Sequence, residues 1–120
     1  MQIPKWTFIA GVAVIIAAYL ILTNMPGQYD DFARCLTSKG AKMYGSYLCT
    51  HCNEQKKMFG NSWRLVDYVE CQLPAGQGET EVCKNANITA FPTWEFGDKT
   101  REMGAHSFEE LTAKTGCKSG

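Results

Sequence analysis

A chain of 120 residues has room for one domain. Its 12 basic and 12 acidic residues cancel to a formal net charge of zero, and no run of Lys or Arg builds the positive face that nucleic acid requires, so nucleic acid is excluded as an expected partner. Six cysteines, an even number in so short a chain, indicate disulfides and an oxidising compartment; in the cytosol the same count would indicate metal binding or redox catalysis.

The run from Trp6 to Leu22, WTFIAGVAVIIAAYLIL, holds no charged residue. At about 17 residues it lies near the lower limit for spanning a bilayer, and Thr23, Asn24 and Met25 extend it into the interface. Lys5 and the α-amino group precede it, which places the N-terminus on the cytoplasmic side, and Trp6 and Tyr19 are suited to the membrane interfaces. The segment is apolar on all faces, unlike a core helix with a single apolar stripe. A cleaved signal peptide is the alternative, but LTNMPGQ offers no good small-x-small cleavage site, which favours a retained single-pass anchor over residues 1–25. Either reading carries residues 26–120 to the periplasmic, lumenal or extracellular side.

Met25 to Tyr29 reads as a linker, with Pro26 and Gly27 as breakers. Tyr29 to Ser38 reads as a helix, with Asp30 and Asp31 in its first turn and Gly40 as its stop. Ala41 to Tyr47 reads as a strand, Thr50 to Phe59 as a helix ended by Gly60, and Leu65 to Cys71 as an alternating strand. A loop with Pro74, Gly76 and Gly78 leads to a short helix from Glu79 to Ala86, with Asn87 suited to the left-handed position after it. Thr93 to Phe96 and Lys99 to Met103 read as a hairpin around the two-residue turn Gly97-Asp98. Ser107 and Glu110 form a capping box for a last helix that stops at Gly116. Strands alternating with helices imply parallel pairing, and the final hairpin adds an antiparallel strand. The expected fold is α/β, a thioredoxin-like four-stranded mixed sheet flanked by helices over residues 26–120, preceded by one transmembrane helix.

Cys49-Thr50-His51-Cys52 follows a predicted strand and opens a predicted helix. The unpaired N–H groups and positive dipole end of a helix N-terminus favour a thiolate at the first cysteine, and the thiolate is the attacking species in thiol–disulfide exchange. Cys52, one turn on, can displace a mixed disulfide at Cys49. A protonated His51 adds positive charge nearby, and a more stable thiolate makes the disulfide a stronger oxidant. The competing readings are an inert structural disulfide and half of a zinc site. Zinc requires four ligands, and no second CxxC or HxxxH is present, so no metal is expected. No cofactor is expected beyond the redox-active disulfide itself.

The other four cysteines suggest two staples. Cys71 ends a strand and Cys83 lies in the next helix; closing that loop gives about 3 kcal/mol in the chain-entropy model. Cys35 and Cys117 lie near the two ends of the soluble part, on helices that can share one face of the sheet, and joining them gives roughly 4.5 kcal/mol as an upper figure. Four cysteines allow three pairings, and a second redox relay is the alternative use of either pair. Trp94, Trp63, Phe59, Met58 and Phe108 are expected in the core or a groove, His106 exposed, and Lys56 and Lys57 on the solvated face of the CxxC helix.

The strings KMYGSYLCTHCNEQKKMFG, VDYVEC, EVCKNANI, FPTWEF and SFEELTAKTGC together resemble the thioredoxin-like domain of bacterial and archaeal vitamin K epoxide reductase (VKOR) homologues, over nearly all of Tyr29 to Cys117. The resemblance implies that Cys49 is the surface nucleophile and Cys52 the resolving cysteine. It further implies a cis Phe91-Pro92 bond beside the CxxC, where backbone next to Pro92 pairs with a substrate strand, and a structural Cys71–Cys83 disulfide. In that family the domain is often fused to a four-helix quinone reductase and passes it electrons from folding proteins. Two departures stand out. Thr50 occupies a position where the family usually has Pro, which alters the expected redox poise, and this chain has one hydrophobic span rather than the quinone-reductase bundle. The expected function is thus a thiol–disulfide oxidoreductase acting on cysteine-containing exported proteins as a dithiol oxidase, with a separate VKOR-like or other membrane redox partner. A reductase or isomerase fed by a transmembrane electron donor, and an inert disulfide-stapled binding module, are the alternatives.

Overall fold

The computed structural model describes residues 2–120. Helix α1 (Lys5–Thr23) is exposed along its whole length and is long and apolar enough to cross a membrane. Its 19 residues extend about 28 Å at the usual helical rise, against a hydrocarbon core of about 30 Å.

The elements that follow are α2 (Asp30–Ser38), β1 (Lys42–Gly45), α3 (Thr50–Phe59), β2 (Asp67–Glu70), α4 (Glu81–Asn85), β3 (Thr93–Glu95), β4 (Arg101–Met103) and α5 (Phe108–Thr115). They match the expected order, with all four strands and α4 shorter than the sequence pattern suggests. A six-residue 3₁₀ helix, Gly60–Leu65, joins α3 to β2 and has no counterpart in the sequence pattern. The sheet order is β2-β1-β3-β4, with β1 parallel to β2 and antiparallel to β3, and β3 antiparallel to β4. This is the expected thioredoxin-like arrangement, a mixed four-stranded sheet flanked by helices.

Alternation along β1 separates two cores. Met43 faces the larger one, with Phe32, Ala33 and Leu36 of α2, Cys52 and Phe59 of α3, Trp94 of β3 and Leu111 of α5. Tyr44 faces the smaller one, with Cys71, Cys83 and Ile88. Phe59 ties the helices of the larger core together: its ring lies 5.9 Å from Phe32 and 4.8 Å from Phe108. Such aromatic pairs add about 1 kcal/mol each beyond their buried area. Of the three pairings open to the remaining cysteines, the structure holds Cys35–Cys117, spanning 82 positions, and Cys71–Cys83, spanning 12. The first joins α2 to the segment after α5, and the second closes the loop between β2 and α4.

Three local features depart from the sequence reading. The β3–β4 loop is Gly97-Asp98-Lys99 rather than a two-residue turn: Lys99 N–H donates to the Phe96 carbonyl at 2.9 Å, and Lys99 itself takes the left-handed conformation (φ 71°). Gly97 is required there for closeness rather than for φ, since a Cβ would stand 2.4 Å from the Lys39 carbonyl oxygen. His106 is buried rather than exposed, with Nε2 2.8 Å from a Glu102 carboxylate oxygen and Nδ1 2.8 Å from the Gly104 carbonyl. The expected linker is also fastened to the domain. The Gly27 N–H donates to Asp30 Oδ1 at 3.1 Å, Tyr29 N–H donates to Ser62 Oγ at 2.8 Å, and the Asn61 amide donates to the Met25 carbonyl. Arg64 grips both oxygens of Asp30 at 2.8 Å.

The Arg64 hydrogen bond, with smaller help from Ser62 and the Gly27 N–H, holds the Asp30 carboxyl well below the usual carboxylate range. A carboxyl that is more acidic when folded adds stability above its ordinary value, and that stability is lost as pH falls towards the lower folded value. Asp30→Asn is expected to lower the thermal midpoint of the full chain in detergent at pH 7. The gap to wild type should narrow as pH drops below about 4. Equal midpoints at pH 7 would show that this clasp contributes nothing.

Candidate active site

Four N–H groups at the start of any helix lack intrahelical partners. At the start of α3 one of them is met by sulfur: Cys49 is the N-cap, and the Cys52 N–H points to Cys49 Sγ at 3.4 Å. The loop that delivers Cys49 is held at each residue. Tyr47 N–H donates to Glu70 Oε1 at 2.8 Å, Leu48 N–H to Ser46 Oγ at 3.1 Å, and Cys49 N–H to the Ser46 carbonyl at 3.0 Å. From inside α3, the Asn53 side-chain amide reaches back to the Tyr47 carbonyl at 3.1 Å.

Cys49 and Cys52 are both free thiols, and their surroundings differ. Cys49 is half-buried, and its sulfur lies 3.6 Å from the Phe91 carbonyl oxygen, beside the cis Phe91-Pro92 bond. Cys52 is fully buried. Burial pushes its thiol up to about 12, with a further rise from the hydrogen bond to Cys49; backbone at Ser46 and the Lys56 charge oppose the rise. One sulfur is therefore open to attack, while the other stays protonated behind it. The wall behind Cys52 needs Gly45, where a Cβ would stand 3.0 Å from Cys52 Sγ and 3.0 Å from the Tyr68 ring.

The structure brings Cys49, Cys52, Phe91 and Pro92 together. Pro92 is buried, and Phe91 packs against both cores. Thr50 is the exposed first residue of α3. His51 is 73% exposed, with Nδ1 3.2 Å from Glu54 Oε2. The Cys71–Cys83 bridge belongs to the smaller core, and Cys35–Cys117 braces the larger one. Among the described residues, no group of three or more His, Cys, Asp or Glu side chains is placed to hold a metal ion.

Several residues around the pair escaped sequence reasoning. Tyr68 donates its hydroxyl to Glu70, and burial together with that bond raises the phenol above its ordinary value. Lys56 is half-buried rather than solvated, with its ammonium 4.0 Å from the centre of the Tyr68 ring. Gln55 is fully buried; Oε1 accepts from Trp94 Nε1 at 3.2 Å and from His106 N–H at 2.6 Å, while Nε2 donates to the His106 carbonyl at 3.0 Å. The clues were spacings: Tyr68 and Glu70 share a strand face, and Lys56 lies one helical turn beyond Cys52.

No family model matches this chain. It is similar to the thiol-disulfide oxidoreductase LTO1 of Arabidopsis thaliana, 42% identical over 88 residues. The match covers 70% of this chain and 23% of that relative, so the chain spans less than a quarter of the relative's length.

Gln55 fixes α3 to β3 and to the turn before α5. Gln55→Leu would leave two buried donors, Trp94 Nε1 and His106 N–H, without acceptors, at about 1–3 kcal/mol each. Chemical denaturation is expected to show a loss of at least about 2 kcal/mol, and a loss under about 0.5 kcal/mol would contradict this role.

Proposed function

We propose that this chain is a membrane-anchored thiol–disulfide oxidoreductase that oxidises dithiols in exported proteins through Cys49 and Cys52. The observation that carries the reading is the asymmetry of the pair: a half-exposed sulfur capping a helix, and a fully buried thiol one turn behind it. The similarity to a protein named as a thiol-disulfide oxidoreductase supports the same reading.

In the oxidised enzyme, a substrate thiolate attacks Cys49 Sγ. A substrate–Cys49 disulfide forms and the Cys49–Cys52 bond breaks, with the electron pair and a proton going to Cys52. A second substrate thiolate attacks the substrate sulfur and releases Cys49 as a thiolate, so the substrate loses two electrons and the cysteine pair gains them. The N-terminus of α3 stabilises that departing thiolate through its dipole and the Cys52 N–H. Thr50 and a protonated His51 adjust the balance, and the backbone beside Phe91 and Pro92 receives the substrate segment. The pair itself is the redox group, so the reaction calls for no other cofactor.

The proposed location is a membrane, with α1 as a single pass, the N-terminus cytoplasmic and the catalytic part on the periplasmic, lumenal or extracellular side. Reoxidation falls to a VKOR-like membrane partner, in line with the resemblance of the chain. Anchoring both proteins in one membrane raises their effective concentration.

Cys52→Ala removes the resolving thiol and is expected to accumulate mixed disulfides between Cys49 and exported proteins, visible as reducible adducts on non-reducing gels. Cys49→Ser should form none. Absence of adducts from Cys52→Ala, together with no alkylation of Cys49 below pH 7 after mild reduction, would instead identify an inert stapled module.

A further inference from the structure

Cys52 has to ionise to close the disulfide, yet it is fully buried and burial opposes its thiolate. The groups around it come from few elements. The cap of α3 supplies Cys49, and the next turn of α3 supplies Lys56. Strand β2 supplies Tyr68, whose hydroxyl is held by Glu70, β1 presents the uncharged Met43 and Gly45, and the Ser46 backbone that follows β1 hydrogen-bonds to the thiol. Trp94 of β3 is engaged with Gln55. His51 lies out in solvent against Glu54. Lys56 is therefore the cation positioned to act on the buried thiol.

Its position is built rather than incidental. A flexible lysine on a solvated face would sample many rotamers, whereas here the ammonium sits 4.0 Å over the centre of the Tyr68 ring, an arrangement favoured by the ring quadrupole. The same ring edge borders Cys52 Sγ across the space left by Gly45. Glu70 fixes the ring through the Tyr68 hydroxyl, and its other oxygen takes the Tyr47 N–H at 2.8 Å, in the loop that carries Cys49. One carboxylate thus ties the seat of the cation to the loop of the nucleophile.

We propose that Lys56 is a positioning residue for the resolving step, its ammonium seated on Tyr68 to favour the Cys52 thiolate, with Glu70 holding that seat in register with Cys49. This rests on the exchange reaction proposed above. In the step itself, the Cys52 thiolate attacks Cys49 Sγ, the Cys49–Cys52 bond forms, and the bond from Cys49 to the partner sulfur breaks. The partner leaves with the electron pair and ends as a thiol carrying the proton that Cys52 lost, so no further reactant is needed.

The test uses the reduced full chain in detergent, mixed rapidly with an aromatic disulfide whose released thiolate absorbs visible light. Attack by Cys49 releases one equivalent in a first phase, and resolution by Cys52 releases another in a second. Loss of the cation leaves the Cys52 thiol less acidic and so lowers its thiolate fraction at a given pH. Higher nucleophilicity of the less acidic thiolate recovers part of that, leaving a net slowing of about threefold. Lys56→Gln is expected to slow the second phase by about that factor at each pH from 6 to 9, to leave the first phase within about twofold, and to be rescued by Lys56→Arg. Tyr68→Leu, which removes the seat, should give the same selective slowing. An unchanged second phase in Lys56→Gln, or equal slowing of both phases, overturns the role of Lys56. Absence of the first phase in the wild-type chain would instead overturn the exchange reaction beneath it.

Discussion

The sulfur of Cys49 caps helix α3, and the placement of that helix against the sheet governs the rest of the domain. A helix N-terminus is a standing set of unpaired donors that favours negative charge. Placing a cysteine there and a second one turn later yields two thiols with opposite environments from a single short segment. The difference persists only if α3 cannot roll. Gln55 hooks it to Trp94 and to His106, Phe59 wedges it between Phe32 and Phe108, and Gly45 lets Cys52 lie directly against β1.

A domain of this size buries a modest core, and covalent staples make up part of the difference. Their placement suits the site. Cys71–Cys83 anchors the loop that follows β2, the strand carrying Tyr68 and Glu70. Cys35–Cys117 joins the first and last parts of the fold around the aromatic cluster that seats α3. The clasp of Gly27, Tyr29, Asp30, Ser62 and Arg64 adds a third restraint where the chain leaves α1. It fastens the segment after α1 to the 3₁₀ segment that directly follows α3.

Much of this was legible in the sequence because local rules acted alone. The CxxC after a strand placed the start of α3, Ser107 placed the start of α5 by accepting the Glu110 N–H at 3.1 Å, and Gly116 ended that helix in the left-handed conformation. What escaped depended on tertiary neighbours. His106 looked exposed because the sequence does not show that Gln55, from α3, would take both its backbone N–H and its carbonyl and draw it into the interior. Lys56 looked solvated because a helical wheel gives its face but not the ring of Tyr68 that covers it. The Gly97-Asp98 pair suggested a two-residue turn, whereas the close approach of Lys39 decided where glycine was needed and left Lys99 in the left-handed position. The linker residues carried breaker signals, and those signals say nothing about the carboxylate and guanidinium that fasten them.

Whether the Cys49–Cys52 pair oxidises substrate dithiols is decided by the reduction potential of that pair. Equilibrating the full chain in detergent with glutathione buffers of known ratio, followed by quantifying the free thiols of the Cys71–Cys83- and Cys35–Cys117-bonded protein, gives the value. A pair that oxidises dithiols is expected at a potential of about −120 to −180 mV, where oxidases and isomerases lie. A potential near about −270 mV would place the pair among reductants and contradict the oxidase account, and a pair that never exchanged with glutathione would contradict enzymatic exchange altogether.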